Sequence, residues 1–139
     1  PKEIYNELSQ KLIKGDVLFS NDGKIGNISI IPEDRNKLVL QSHIRTIRLN
    51  DHAKKYNLTK EYLFLVLTTK ISKLQCEKFT VIQSTLSTIS NNLSNFYIPL
   101  IAETKMKNIS KLIKEFCNLM IKKREILKTI RDNFNDNFR

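Results

Sequence analysis

The stretch GDVLFSNDGKIGNISII, residues 15–31, decides the fold of this chain. Residues 17–19 form a short apolar run, and residues 25–31 form a second run that is rich in isoleucine. The SNDG segment between them is typical of a hairpin turn, because Gly23 adopts a positive φ without steric cost. The sequence therefore predicts a β-hairpin. Three polar residues lie at its expected tip: Asn21, Asp22 and Lys24.

Apolar spacing predicts three helices elsewhere in the chain. Residues 1–13 start with a proline and repeat apolar residues at helical spacing, before Lys14 and Gly15 end the helix. Residues 58–75 form the second helix, with Thr59 as its candidate N-cap. Residues 103–132 contain neither glycine nor proline and carry a wide apolar stripe. This third helix would be about 45 Å long.

The remaining segments predict short strands and loops. Residues 38–50 favour extended structure, broken at Gln41–Ser42, and residues 32–37 favour a loop. Residues 79–94 are rich in Ser, Thr and Asn and indicate short pieces, and residues 96–100 predict a strand that ends at Pro99. The predicted fold class is α+β: a small, twisted, mostly-β core with flanking helices and a long C-terminal helix. We expect one unit over residues 1–102 and the helix, with a frayed tail, over residues 103–139.

The charge balance favours a polyanionic partner. The 139 residues include 24 Lys and Arg against 14 Asp and Glu, for a formal net charge of +10. Such an excess suits DNA, RNA or an anionic membrane surface, and a composition biased towards Lys, Ile and Asn would also produce it. Because Glu115 and Glu125 are interspersed among the lysines of the long helix, membrane-surface binding is the weaker reading.

Localisation and cysteine usage point to a cytoplasmic protein. No apolar run approaches the ~18 residues of a membrane span, and no signal peptide is recognisable. Cys76 and Cys117 lie far apart and outside any Cys-x-x-Cys pair, which favours reduced, buried thiols over a zinc site or disulfide. The chain begins at Pro1 and not at Met, which fits a fragment of something longer.

The motifs for common enzyme chemistry are absent from the sequence. A phosphate-binding loop would need glycine where Leu18 stands and Ser or Thr where Ile25 follows Lys24. His43 and His52 lack partners at metal-ligand spacing, so we expect no metal site. Ser42 and His43 are adjacent and would point to opposite faces of a strand. The sequence therefore predicts no catalytic residue. A small enzyme that uses His43 and Asp51 remains a rival reading.

Polar side chains suited to reading bases occur along the chain, mostly at loops and strand ends. Asn and Gln pair with adenine, Arg and Lys with guanine, and Ser and Thr with either, whereas the many lysines suit phosphate contacts. Any one such residue alone is more simply a solvated surface side chain, so the set carries the argument. The predicted DNA-binding residues are Asn21, Asp22, Lys24, Gln41, His43, Arg45, Lys78, Thr80, Gln83 and Thr85.

The apolar stripe of the long helix is wider than a small domain covers. We expect part of it to pair with another helix, from a second copy or another segment, as in a coiled coil. The alternative is that the stripe packs across the chain's own sheet. The predicted pairing residues are Ile109, Leu112, Phe116, Leu119, Ile126 and Ile130.

Several motifs resemble one family when taken in order. The Gly-Asp-Val-Leu-Phe and Gly-Lys-Ile-Gly steps within residues 12–31 are similar to the signature of target recognition domains. LQSHIRTIRLN (40–50), EYLFLVLTTKISKLQCEKFT (61–80) and STLSTISNNLSNFYIPLI (84–101) resemble later motifs of that family, and the long helix resembles its spacer helix. The chain departs from the family at Gln83–Ser84, where a glycine is usual, and at Glu103–Thr104, where Glu-Glu-Gln is usual.

Such domains occur in specificity subunits of type I restriction-modification systems and at the C terminus of some N6-adenine DNA methyltransferases. The resemblance implies sequence-specific recognition of double-stranded DNA by a non-catalytic chain. It also implies methyltransferase and restriction subunits or domains as partners, and S-adenosylmethionine bound in the catalytic domain and not here. The main alternative is a helix-mediated interaction module whose basic charge is incidental.

Overall fold

A computed structural model describes residues 10–38, 40–83 and 86–136. The strands are β1 (Gln10–Leu12), β2 (Val17–Ser20), β3 (Ile28–Ile30), β4 (Arg35–Leu38), β5 (Ile44–Ile47), β6 (Val81–Gln83) and β7 (Leu86–Thr88). The helices are α1 (Asp51–Lys54), α2 (Lys60–Thr68), α3 (Lys70–Phe79), a 3-10 helix (Ser90–Asn95) and α4 (Glu103–Asp136). The α+β fold class and the long C-terminal helix are confirmed.

The predicted hairpin forms the centre of the structure. Strand β2 pairs with β3 and β5 on its two sides, antiparallel to both, in the order β3-β2-β5. Two further antiparallel pairs, β1 with β4 and β6 with β7, lie outside this sheet. Gly26 has a φ of +81°, and a Cβ there would lie 3.0 Å from the sulfur of Cys76. A glycine is therefore needed where the turn meets α3.

The core lies between the three-stranded sheet and α2. Val17 and Phe19 of β2 are completely buried, and Val17 packs with Leu63 and Leu67 of α2. The ring of Phe96 meets Phe19 edge-on, with 6.0 Å between the ring centroids. Apolar residues two apart on β2 and four apart on α2 thus supply the two facing surfaces.

A second face of α2 binds the long helix. Tyr62 and Val66 pack against Met106 of α4. The Thr59 side chain caps α2 by accepting a hydrogen bond from the Tyr62 N–H at 3.1 Å, which confirms the predicted N-cap. Its hydroxyl is also 2.6 Å from that of Ser110. The start of α2 is therefore joined to α4 by both apolar and polar contacts.

Several sequence predictions were wrong because distant partners override local pattern. Residues 10–12 form a strand instead of the end of a helix, and residues 1–9 of that predicted helix lie outside the described residues. The partner of residues 10–12 is β4, which replaces the second half of the loop predicted over 32–37. Pairing with a distant strand outweighs the helical spacing of such a short segment.

Two further predictions fail, one at the end of α2 and one over residues 96–100. The single helix predicted over 58–75 breaks at Thr69, whose backbone is extended with ψ of 168°. No strand forms over residues 96–100. Side chains satisfy that segment instead, since the Tyr62 hydroxyl donates to the Pro99 carbonyl at 2.7 Å and the Gln75 amide bonds both polar backbone groups of Tyr97.

An ion pair between the buried Asp16 carboxylate and the half-exposed Arg48 guanidinium joins the start of β2 to the end of β5. The Asp16 side chain is 1% exposed and accepts hydrogen bonds from Arg48 Nε at 2.7 Å and from the Ile13 N–H at 2.9 Å. Burial raises the pKa of Asp16, but the Arg48 and Ile13 hydrogen bonds outweigh it, so this pKa lies below its usual 3.8. The ionised carboxylate therefore stabilises the fold at neutral pH, and that contribution is lost as the pH falls through the folded-state pKa.

We expect Arg48→Met to lower the free energy of unfolding by about 2 kcal/mol at neutral pH, because Asp16 would remain buried without its cation. Half of the Arg48 side chain is exposed, which keeps the loss below that of a fully buried pair. Urea unfolding at several pH values measures it, and the deficit should shrink in acid as Asp16 becomes protonated. Arg45→Met, on the same strand, is the control. Equal stability of the two variants would contradict the assignment.

Candidate nucleic-acid interface

Three connections meet at one end of the central sheet: the β2–β3 turn, the β4–β5 connection, and the segment that runs from β7 into the 3-10 helix. The β2–β3 turn is held between the other two by backbone hydrogen bonds. The Asn21 N–H donates to the His43 carbonyl at 2.7 Å, before β5. On its other side the Gly23 N–H donates to the Ser87 carbonyl at 3.1 Å, and the Ile89 N–H donates to the Asn21 carbonyl at 3.0 Å. The turn therefore lies beside β7, joined to it by a single antiparallel bridge between Asp22 and Thr88.

The side chains of Asp22, His43 and Thr88 form a cluster where these connections meet, which we call the Asp22 cluster. Asp22 is bridged to Thr88 across the turn, and its carboxylate accepts from His43 Nδ1 and from the Asn21 amide, both at 3.1 Å. Hydrogen bonds from Thr88 and then His43 hold the pKa of Asp22 below its usual value. Asp22 is thus ionised at neutral pH and joins all three connections.

The hydrogen bond to Asp22 determines which hydrogen-bonding atom His43 presents to a partner. An ionised carboxylate only accepts hydrogen bonds, so the Nδ1 atom of His43 carries a proton. The Nε2 atom of a neutral His43 ring is then an acceptor. Since 56% of the side chain is exposed, His43 can present an oriented ring to a ligand.

The other predicted residues of the two turns are placed unequally. Asn21 is 2% exposed, contrary to its expected place among the exposed tip residues. Its Oδ1 atom has no hydrogen-bond partner among the described residues. Lys24 and Gln41 are exposed, and Arg45 is exposed two residues after His43 on β5. Gln41 and Arg45 therefore flank His43 along the chain, Lys24 is exposed on the β2–β3 turn, and Asn21 is buried within that turn.

The predicted residues near the β6–β7 hairpin also differ from one another. Lys78 is exposed, with its Nζ atom 5.3 Å from the centre of the Phe79 ring. The Thr80 hydroxyl donates to the Cys76 carbonyl at 2.6 Å, so it caps α3. The side chain of Gln83 and the whole of Thr85 lie outside the described residues.

Sequence reasoning missed Ser87 and Thr88. They lie in a segment in which hydroxyl and amide residues are so frequent that no spacing separates them from their neighbours. Their role depends on the β2–β3 turn, which is remote in sequence. The sequence indicates a polar turn before β3. It contains no signal that this turn is hydrogen-bonded to β7.

The rival enzyme site is not assembled. His43 bonds to Asp22, whereas Asp51 forms its ion pair with Lys54. Within the described ranges, no group of three or more His, Cys, Asp or Glu side chains has a geometry that could hold a metal ion. Among those same residues, no helix combines the length and the apolar character that crossing a bilayer requires.

Among the described residues, apolar packing covers the stripe on α4 at its N-terminal end. Ile109 packs with the Tyr62 and Val66 cluster of α2, and Phe116 stacks on Phe64 with 6.5 Å between ring centroids. Beyond them Arg124 bonds to Glu33 in the β3–β4 connection. Four of the predicted pairing residues are more than half exposed: Leu112 at 63%, Leu119 at 66%, Ile126 at 51% and Ile130 at 57%.

A protein-family model for the type I restriction modification DNA specificity domain matches residues 2–132. The chain belongs to this family. The match includes the central hairpin, the Asp22 cluster and most of α4, and it confirms the resemblance seen in the sequence. A search of curated proteins finds no relative that matches the chain. The family confers DNA sequence specificity in type I restriction-modification systems.

We expect Thr88→Val to raise the pKa of Asp22 towards 3.8, because the Thr88 hydroxyl is the largest influence that lowers it. An NMR titration of the aspartate carboxyl carbons measures this change. Thr68→Val, in which the lost hydroxyl bonds only within α2, should leave the Asp22 titration unaltered. An unchanged Asp22 pKa in Thr88→Val would contradict the described cluster.

Proposed function

We propose that this chain is a non-catalytic module that reads one part of an asymmetric double-stranded DNA target. It would serve a type I restriction-modification system or an N6-adenine DNA methyltransferase. Methylation and cleavage would belong to partner subunits or domains, and S-adenosylmethionine would bind in the methyltransferase. The observation that carries the proposal is the Asp22 cluster, which holds three polar connections together by hydrogen bonds on a chain of this family.

Rigidity at the Asp22 cluster matters because base readout depends on orientation. Hydrogen bonds to base edges discriminate only when donors and acceptors are held in register with the duplex. The β2–β3 turn is held through backbone atoms on both sides, and the His43 ring is oriented by Asp22. Little conformational freedom would then be lost when DNA binds, which favours both affinity and discrimination.

We assign DNA contacts to the exposed polar residues of the predicted set and, from the sequence alone, to Gln83 and Thr85. Lysine suits phosphates as a point charge, whereas an oriented imidazole or an amide suits a base edge. Asp22 and Asn21 would act by holding the turn, since one is engaged with its neighbours and the other is buried. The proposed contact residues are Lys24, Gln41, His43, Arg45, Lys78, Gln83 and Thr85.

Selection of bound duplexes from a random pool, at two salt concentrations, tests this function. We expect an enriched motif that persists at the higher salt, because base contacts survive when counterion release contributes less. Lys24→Ala should weaken binding at all sequences and reduce the salt dependence by about one ion. Lys55→Ala, an equal loss of charge just after α1, is the control. Enrichment of no motif at either salt would overturn the proposed function.

We further propose that the exposed part of the α4 stripe pairs with the same helix of a second copy. Leu119, Ile126 and Ile130 are spaced for one face of a helix, and each is more than half exposed. Exposed leucine and isoleucine side chains in a row mark an interaction surface more often than a free one. A pair of such helices would set the distance between two DNA-reading edges.

Sedimentation equilibrium tests the pairing. We expect the chain to dimerise, and Ile126→Lys to weaken the dimer by about tenfold or more, because a charge would be buried in an apolar interface. Thr129→Lys adds the same charge at an exposed polar position of the same helix and should have little effect. A wild-type chain that stays monomeric at high concentration would contradict pairing between copies.

A further inference from the structure

The β6–β7 hairpin carries an apolar side chain, that of Ile82, which is largely unpacked. Ile82 is 76% exposed, the highest value among the large apolar side chains of the described residues, and its neighbour Val81 is 47% exposed. Strand residues of this kind normally face a packed surface. The backbone around Ile82 is ordered in a strand pair, so its exposure is a property of the folded hairpin.

The position of Ile82 on the hairpin defines a reading face. Ile82 lies directly opposite Ser87, so their side chains share one face of the ribbon. Gly23 follows on the same side, bonded to the Ser87 carbonyl, and a Cβ at Gly23 would meet nothing within 4 Å. This face therefore carries the exposed apolar side chain of Ile82 on β6, and it has free space beside Gly23 at the other edge.

The chemistry around this face suits a DNA groove. Lys78, three residues before β6, and Lys24, the residue after Gly23, are both exposed, and the β2–β3 turn that carries Lys24 is bonded to β7. A two-stranded ribbon fits the major groove, which is about 12 Å wide. In that groove the C5-methyl group of thymine is the apolar feature that distinguishes one base from the other three.

We propose that Ile82 is a specificity-determining residue that contacts the C5-methyl group of a thymine in the major groove. This inference rests on the proposed DNA-reading function and names the base feature that one side chain reads. Ile82 needs no hydrogen bond for this contact, and the polar residues of the neighbouring connections set the register of the ribbon. The contact discriminates thymine from cytosine by its methyl group.

Replacement of thymine by uracil tests the contact directly, because it removes the methyl group and keeps the hydrogen-bonding edge. In the selected target, each thymine is replaced in turn and the affinity of the full chain is measured. We expect one position at which uracil weakens wild-type binding about three- to fivefold, the effect of one methyl group. Ile82→Ala should bind the thymine and uracil duplexes equally. Ile71→Ala, which truncates an isoleucine 46% exposed on α3, should keep the wild-type discrimination.

The outcomes separate the two levels of the proposal. A chain that selects a motif but shows equal uracil effects in wild type and Ile82→Ala overturns the role of Ile82 and leaves the DNA-reading function standing. A chain that selects no motif overturns both. Ile82→Val keeps a branched apolar side chain and should retain part of the discrimination, which distinguishes the methyl contact from a general effect of changing the hairpin. Circular dichroism melts of the variants should match the wild type, since Ile82 packs against little.

Discussion

The register of β2 within the central sheet is the constraint on which the rest of the structure depends. Val17 and Phe19 are buried against α2 and Phe96, while Leu18 and Ser20 face the other side of the sheet. Because a slip of one residue would turn the whole apolar set outward, this burial fixes where the strand ends. The end of β2 in turn determines that Asp22 lies beside His43 and Thr88.

Helix α2 connects this constraint to the long helix. Leu63 and Leu67 face the sheet, whereas Tyr62 and Val66 face Met106 of α4. A nine-residue helix therefore has two packed faces, and its N-cap residue Thr59 contacts Ser110 as well. Packing on this short element, together with the Arg124–Glu33 contact to the β3–β4 connection, therefore sets the direction of α4 relative to the central sheet.

Short sequence patterns predicted correctly those elements that neighbouring residues in the chain stabilise. The turn chemistry at Gly23, the capping side chain of Thr59 and the glycine-free apolar stripe after Glu103 each produced the expected element. Local signals failed where the cause lies elsewhere in the chain. Strand β1 exists because β4 pairs with it, and the segment around Pro99 stays irregular because the Tyr62 hydroxyl satisfies its carbonyl.

The candidate site shows the same division. Polar residues at the hairpin tip were recognisable from turn composition, but the burial of Asn21 was not, because it depends on bonds to residues 43 and 89. Thr88 carried no signal of its own within a Ser- and Thr-rich segment. Sequence reasoning singled out the region of the candidate site, and the pairing of remote backbone segments determines which of its side chains face outward.

The junction between the β2–β3 turn and its neighbours has an evolutionary consequence. Three of its hydrogen bonds join backbone atoms, at Asn21 with His43, Gly23 with Ser87 and Ile89 with Asn21. Backbone bonds are indifferent to side-chain identity, provided that the local φ and ψ angles are kept. Substitutions at the exposed positions between these bonds can therefore alter what the edge displays while its shape persists. New recognition preferences could then arise one residue at a time, without an unstable intermediate fold.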